Sequence, residues 1–336
     1  MAREHQARGL AMIAMVAVAG LLVVGCAGGG GAWQPSPGAQ TVPRPAPEGA
    51  TPVAVELAYT FDNVRTADYF PFEGLAGVAW GSDGTLVVCD ESRGKVHGLD
   101  PRTQTWYEFD APNVRPYRPV AAQVDGFKVL VLDIGSRALY RFDLAGVYQD
   151  RIVDFNVLDP AYDTVPSAFD VDLDGRVVVA DGGEDQVLVL DSFLALQSRV
   201  GQPGPHDEQF AEPSGVVFLP DGGFVVSDRD NRRLQRFNRL GYWEATMGGQ
   251  FDVNNPFVTP QGLDCDRWGN LFVADPAAGV VHVLDARGRL LLDIGPDLDL
   301  QGSLLGPVAA TVGPDDQLVV TDRLRSAVIV YRIIYD

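Results

Sequence analysis

Histidine, cysteine and positive charge are all scarce in this chain, and each shortage excludes something. Four histidines occur in 336 residues: His5, His97, His206 and His282. No Ser/His/Asp or Cys/His arrangement emerges around them, and no glycine loop of the phosphate-cradling kind is present. The three cysteines are Cys26, Cys89 and Cys265. Cys89 stands in a slot that other copies of an internal repeat fill with Leu132, Ala180, Ser227, Ala274 and Thr321. Cys265 stands in one filled by Trp80, Val171, Phe218 and Val312, and both read as small buried hydrophobes. Lysine and arginine total 26 against 45 acidic residues, a net charge of −19. Removing the first 25 residues, with two arginines and one glutamate, leaves the remainder one unit more negative. That balance argues against a nucleic-acid partner, whose binding is dominated by basic side chains. It also argues against docking on anionic lipid.

What the chain has instead is a repeat. An apolar strand closed by aspartate occurs six times, at Asp90 (LVVCD), Asp133 (VLVLD), Asp181 (VVVAD), Asp228 (FVVSD), Asp275 (LFVAD) and Asp322 (LVVTD). The spacings are 43, 48, 47, 47 and 47 residues. Proline stands fifteen residues before the aspartate at Pro166, Pro213, Pro260 and Pro307; Pro119 falls one place later, and copy one has Leu75. A fixed period near 47 residues made only of strands and turns marks a repeat architecture. Copy four predicts strands at Gly215–Leu219, Gly223–Ser227, Arg233–Phe237 and Tyr242–Met247. The first two join through Pro220-Asp221-Gly222, where a positive φ is needed. Cys89 and Cys265 fall in copies one and five, which do not adjoin in a ring of six, so no disulfide is expected between them.

Gly201, Gly204, Phe210, Pro213 and Gly215 stand where NHL repeats have their marker residues, and the units resemble that family from about Val53 to Asp336. The repeated Trp-Asp endings of WD40 blades and the paired glycines of kelch repeats are missing. The resemblance implies an all-β fold, a six-bladed β-propeller of four-stranded antiparallel blades; it does not imply a function. Copy six lacks a fourth strand, and Ala54–Phe61 precedes copy one without a blade of its own. The N-terminal strand is therefore expected to close the last blade.

The N-terminus reads as an address. Arg3 and Arg8 precede Gly9–Gly25, a charge-free apolar run of 17 residues ending in Gly25-Cys26. Basic start, apolar middle and small residue make a secretory signal, residues 1–25. The terminal Gly-Cys resembles a bacterial lipobox, which implies cleavage before Cys26 and its acylation. Residues 26–52 are rich in glycine and proline, cannot build a core and read as a tether. The expected location is extracytoplasmic and lipid-anchored, at the outer membrane if the cell has one, with the propeller standing off the surface and membrane contact through the lipid alone.

Two acidic patterns invite a chemical reading. Asp170-Val-Asp172-Leu-Asp174-Gly175 with Asp181 matches a calcium-loop spacing on paper, but these residues are strand, turn and strand here, so a hairpin fits better. The six closing aspartates are read as structural, each accepting hydrogen bonds from the turn that follows. Propellers similar to this one include zinc-dependent amidating lyases and gluconolactonase-like enzymes with a divalent ion. Yet no first strand contains a histidine, and His206-Asp207-Glu208 reads as an exposed acidic loop. No metal, no cofactor and no catalytic residue is assigned.

The remaining candidate is the face made by loops that enter first strands and leave second strands. It carries Arg93, Tyr117, Arg118, Arg137, Arg229, Asn231, Arg232, Arg323 and Arg325 as a basic arc opposite Glu184 and Asp185. Arginine beside aromatics suits binding. The sequence favours a non-enzymatic binding or assembly module with a protein or small ligand on this face. The alternatives are a metal-dependent lyase or lactonase, or a small-molecule sensor, using the central channel.

Overall fold

The computed structural model describes residues 50–65, 69–110, 113, 117–158, 160–295 and 302–336. All belong to the compact unit Thr41–Asp336. The expected signal, Cys26 and most of the expected tether lie outside the described residues.

Six four-stranded antiparallel sheets follow one another as the blades of a β-propeller. In blade four the strands, counted outward from the axis, are Pro213–Phe218, Phe224–Asp228, Arg233–Phe237 and Trp243–Gly248. These lie within two residues of the strands expected from sequence. The innermost strand starts earlier, at Pro213, which pairs with Asp228 ahead of an irregularity before Gly215. Proline tolerates this place because an edge strand does not need its N–H. Second strands are continuous apolar runs because they are covered on both faces: Leu86–Asp90, Val177–Asp181, Phe224–Asp228 and Leu271–Asp275 are buried throughout.

The core is six wedges, one between each pair of neighbouring blades. Val87 and Val131 belong to the wedge of blades one and two, Val179 and Leu132 to that of two and three, and Phe224 and Val178 to that of three and four. Val225 and Val273 join blades four and five, Phe272 and Ile329 five and six, and Val319 and Val88 six and one.

Ring closure follows the sequence expectation, two residues longer. Pro52–Phe61 is the outer strand of blade six and pairs antiparallel with Ala327–Tyr335, from Pro52 opposite Tyr335 to Phe61 opposite Val328. The fourth strand of blade one is only Trp106–Glu108. A small hairpin, Asn63–Arg65 with Tyr69–Pro71, links the closing strand to that blade. Among the described residues, helix is confined to Phe155–Leu158 and one 3-10 turn, Pro314–Asp316.

The propeller has two unlike faces. The upper face carries the loops between blades and the turns from second to third strands. The lower face carries the turns from first to second and from third to fourth strands.

Candidate functional site

The upper face is assembled by the closing aspartates, all fully buried. Each reaches two places at once. Asp90 accepts from Glu73 N and Gly74 N at 3.0 Å, in the loop leading into its own blade, and from Arg93 N at 3.3 Å in the turn beyond. Asp275 accepts from Val258 N at 2.7 Å, Thr259 N at 3.0 Å and Ala278 N at 3.1 Å. Asp322 accepts from Leu305 N at 2.6 Å, Gly306 N at 3.1 Å and Arg325 N at 3.0 Å. Asp181 takes Val165 N and Gly183 N, and Asp133 takes Arg118 N and Ser136 N. Sequence reasoning expects the bond to the following turn. The bond to a loop 15 to 17 residues upstream becomes visible only in three dimensions.

Blade four carries the densest version. Asp228 accepts from Ala211 N at 2.8 Å, Asn231 Nδ2 at 2.9 Å and Arg233 Nε at 2.7 Å. The buried Arg233 guanidinium also donates to the carbonyls of Pro205, His206 and Gln209 at 2.6 to 2.9 Å. Phe210 packs under this loop against Gly201, where a Cβ would lie 2.3 Å from the ring. Asn231 belongs to this network rather than to a free surface, since Nδ2 also donates to Gly204 O at 2.9 Å. Arg233 and Gln235, singled out by no sequence pattern, are the residues that hold the loop.

The basic arc is interlaced with acid. Arg93 pairs with Glu73 at 2.6 Å, Arg118 with Glu91, Arg323 with Glu91 at 3.2 Å, and Arg137 with Asp163. Arg229 meets Asp230 at 2.9 Å and Glu212 at 3.6 Å. Glu184 and Asp185 accept from the backbone N–H groups of Asp163 and Glu212. Arg325 donates to Ser303 O, and Arg232 Nε to Phe257 O at 3.3 Å. The face is thus a patterned lattice of opposite charges instead of a basic arc facing one acidic patch. Tyr117 is not on it: at 7 % exposure it is buried against Tyr140 between blades one and two, because its ring fills the wedge. Apolar side chains that the sequence analysis passes over do project here, notably Phe251 and Val253 on the loop between blades four and five and Leu324 in blade six.

The turn after each closing aspartate has a left-handed residue four places on. Blades one and five use Gly94 (φ 61°) and Gly279 (φ 71°). The others hold Arg137 (φ 54°), Asp185 (φ 51°), Arg232 (φ 56°) and Ser326 (φ 51°) there. An L-residue at this conformation costs roughly 1 to 2 kcal/mol against glycine. Three of these four are candidate face residues, and glycine at the aligned places in copies one and five is the sequence signal for the site.

Innermost strands line a central channel with a cavity of about 180 Å³. Glycine recurs at one level, at Gly77, Gly215 and Gly262, because a Cβ there would meet the next strand's backbone at 2.3 to 2.8 Å. Nearer the lower mouth stand Asp170 and Asp264. Asp170 accepts from Phe218 N at 2.7 Å and Val171 N at 2.8 Å, and from Gln123. Asp264 accepts from Val312 N and Thr311 Oγ1 at 2.8 Å. Burial pushes their pKa values up to about 7 and about 6, against the bonds from the neighbouring strands. The calcium-like spacing resolves differently. Asp170 faces the channel, Asp172 accepts from Asp174 N and Arg176 N in the hairpin turn, and Asp181 closes the far end of the next strand.

His97 and His282 lie on third strands, away from the channel. His282 Nδ1 is 2.7 Å from Asp293 Oδ1 and its Nε2 is 3.6 Å from Asp275 Oδ2. His206 is on the upper face. Cys89 and Cys265 are free thiols, and Cys265 Sγ lies 3.2 Å from Phe218 O.

Comparison with known proteins agrees with this geometry. Residues 210–237 match the family model for the NHL repeat. E3 ubiquitin-protein ligase NHLRC1 of Homo sapiens is 30 % identical over 111 residues, 33 % of this chain and 27 % of that protein. Protein brain tumor of Drosophila melanogaster is 22 % identical over 151 residues, 44 % of this chain and 14 % of that protein. The chain thus spans under a third of the length of these curated relatives. Among solved structures, a streptogramin B lyase superposes with TM-score 0.60 at 12 % identity over 82 % of this chain and 98 % of that one. A gluconolactonase from Xanthomonas campestris gives TM-score 0.60 at 18 % identity over 85 % and 97 %. At such identities the likeness is one of fold. Residues 210–237 thus match an NHL repeat, and that stretch lies in one blade of a ring of six four-stranded blades.

Proposed function

We propose that this protein is a non-enzymatic binding module, held outside the cytoplasmic membrane by an acylated Cys26, that presents its upper face to a protein partner. The observation that carries the reading is the left-handed position in the upper turns. Arg137, Asp185 and Arg232 keep side chains where blades one and five have glycine. The lower turns also hold non-glycine residues at positive φ, Gln104, Leu194, Asp315 and Asp316. Only the upper turns repeat this at one aligned place, and strain repeated at one place on a face is a pointer to use of that face. Pinned loops support the same reading, because a face ordered before contact loses less entropy on binding. Phe251 and Val253, on the loop whose Gly249 N donates to Arg232 O at 3.0 Å, supply apolar anchors on a face rich in arginine, a composition suited to interface centres.

The test separates binding from folding. An Arg137→Gly/Arg232→Gly variant relieves strain, so its thermal midpoint holds or rises. Its capture of the partner from mildly solubilised membranes, read by a photo-cross-linker at Phe251 and mass spectrometry, falls at least about tenfold, the loss of roughly 1.4 kcal/mol. Undiminished capture by that variant overturns the reading.

A small ligand in the channel is the second reading, and Asp170 and Asp264 on the wall of the cavity support it. It gains if small-molecule binding is lost in an Asp170→Asn/Asp264→Asn variant while partner capture persists.

A further inference from the structure

The lower face, like the upper, exposes apolar side chains, but here they stand in the tight turns within blades and not in the loops between them. Phe127, Leu173, Phe193 and Leu240 are at least three-quarters exposed, and Tyr242 two-thirds. All five lie in tight turns of three consecutive blades, two, three and four. The turns of Phe193 and of Leu240 and Tyr242 are pinned from within. Asp191 Oδ1 accepts from Phe193 N and Ala195 N at 2.9 and 3.0 Å, and Asn238 Oδ1 accepts from Leu240 N and Tyr242 N at 2.9 and 3.1 Å. The acceptor side chain folds inward over its own turn, and the residue two places on is turned out to solvent. In blades one and five that same outward place holds arginine, Arg102 and Arg287. An apolar sector flanked by guanidinium tips results.

The chain enters the propeller on this same face. Pro52, at the start of the closing strand, pairs with Tyr335 at the lower end of its partner. Ala50 is buried, and its carbonyl accepts from Asn270 Nδ2 at 3.0 Å, in the lower turn of blade five. The 25 residues from Cys26 to Ala50 reach about 80 Å when extended, so their length neither brings this face to a surface nor keeps it away. The tips decide. Attachment at blades five and six and apolar contact at blades two to four are two separated points, enough to set orientation.

We infer that the lower face docks on the bilayer carrying the lipid anchor, with Phe127, Leu173, Phe193, Leu240 and Tyr242 entering the headgroup region. This rests on the anchoring reading and revises the expectation of a propeller standing off on its tether. The bilayer surface it fits is zwitterionic, since a net charge of −19 is repelled by anionic headgroups. Aromatic and leucine side chains at this rim suit that boundary, and arginine beside them reaches phosphate. Docked this way, the upper face points outward.

The experiment uses the full acylated chain in phosphatidylcholine/phosphatidylethanolamine vesicles, with Cys265→Ala to remove a competing thiol. An environment-sensitive probe is placed by Phe193→Cys, by Leu240→Cys, or by Leu324→Cys on the opposite face. Docking gives blue-shifted emission, quenched by brominated acyl chains, at positions 193 and 240, while position 324 stays in water. Probes at 193 and 240 as wet as that at 324 overturn docking, and the anchor still stands if flotation requires Cys26. Probes covered only in native membranes also overturn it, in favour of a protein neighbour. If mass spectrometry finds Cys26 unacylated, the anchoring reading falls by itself. The two lower-face probes are then titrated with vesicles, and absence of any shift removes docking too.

Discussion

Asp228 does more for the upper face than its place at a strand end suggests. It neutralises the buried Arg233 guanidinium and ties down Ala211 and Asn231. Asp228→Ala leaves that cation unpaired, which costs about 3 to 5 kcal/mol; urea unfolding should show it as a lowered midpoint. His282 gives a second test at the same scale. Burial lowers its pKa, but the carboxylates of Asp275 and Asp293 outweigh this and raise it to about 8. A raised folded value means the contribution is complete below the ordinary imidazole pKa and is lost as pH rises through about 8. It amounts to at most roughly 2 kcal/mol. Calorimetry should therefore find His282→Gln most destabilised near pH 6 and level with the unmodified protein by pH 9. His97 is the contrast: burial lowers its pKa and neither ring nitrogen has a hydrogen-bond partner, so its charging on acidification opposes folding.

The element that decides integrity is the closing strand, Pro52–Phe61. Val55 and Leu57 pack on the wedge between blades five and six, and Phe61 on that between six and one. Each side chain is partly buried, so their combined hydrophobic contribution is about 3 to 5 kcal/mol. Deleting residues 52–61 should lower the urea midpoint and broaden the transition as blade six loses its fourth strand. Innermost strands are constrained in another way. Gly215→Ala would set a Cβ 2.3 Å from Gln261 O of the next blade. Overpacking of that kind costs about 1 to 3 kcal/mol, measurable as a fall in thermal midpoint. The sequence shows this level as Pro-x-Gly in copies four and five. It does not show why, because the colliding backbone is some 46 residues away.

At the scale of the whole molecule, charge dominates. A net charge of −19 on the chain, carried by the propeller, is self-repelling, while the surface ion pairs are individually weak. Raising ionic strength from about 0.01 to 0.15 M shortens the screening length from roughly 30 to 8 Å. The thermal midpoint should therefore rise with salt; a fall would mean that the upper-face ion pairs outweigh the general repulsion. The two faces also divide the work at this scale. Pinned, ion-laced loops with Phe251, Val253 and Leu324 among them look one way, and apolar turn tips look the other, on the side where the chain enters.

The sequence by itself determined the blade count, the strand order within a blade and the need for an N-terminal strand. All three follow from periodicity and alternation, which are local. It also marked the closing aspartates, since a repeated strand end is visible as a column. The tertiary structure alone decided what those columns touch. Arg118 and Glu91, Arg323 and Glu91, or Asp170 and Phe218 lie 27 to 232 residues apart and meet because blades turn about an axis. Tyr117, grouped by sequence with an exposed arginine, is buried because the ring leaves a wedge there. The apolar lower tips escaped sequence reading for the same reason. Phe127, Phe193 and Leu240 are single residues in separate turns, and only the closed ring puts them on one face.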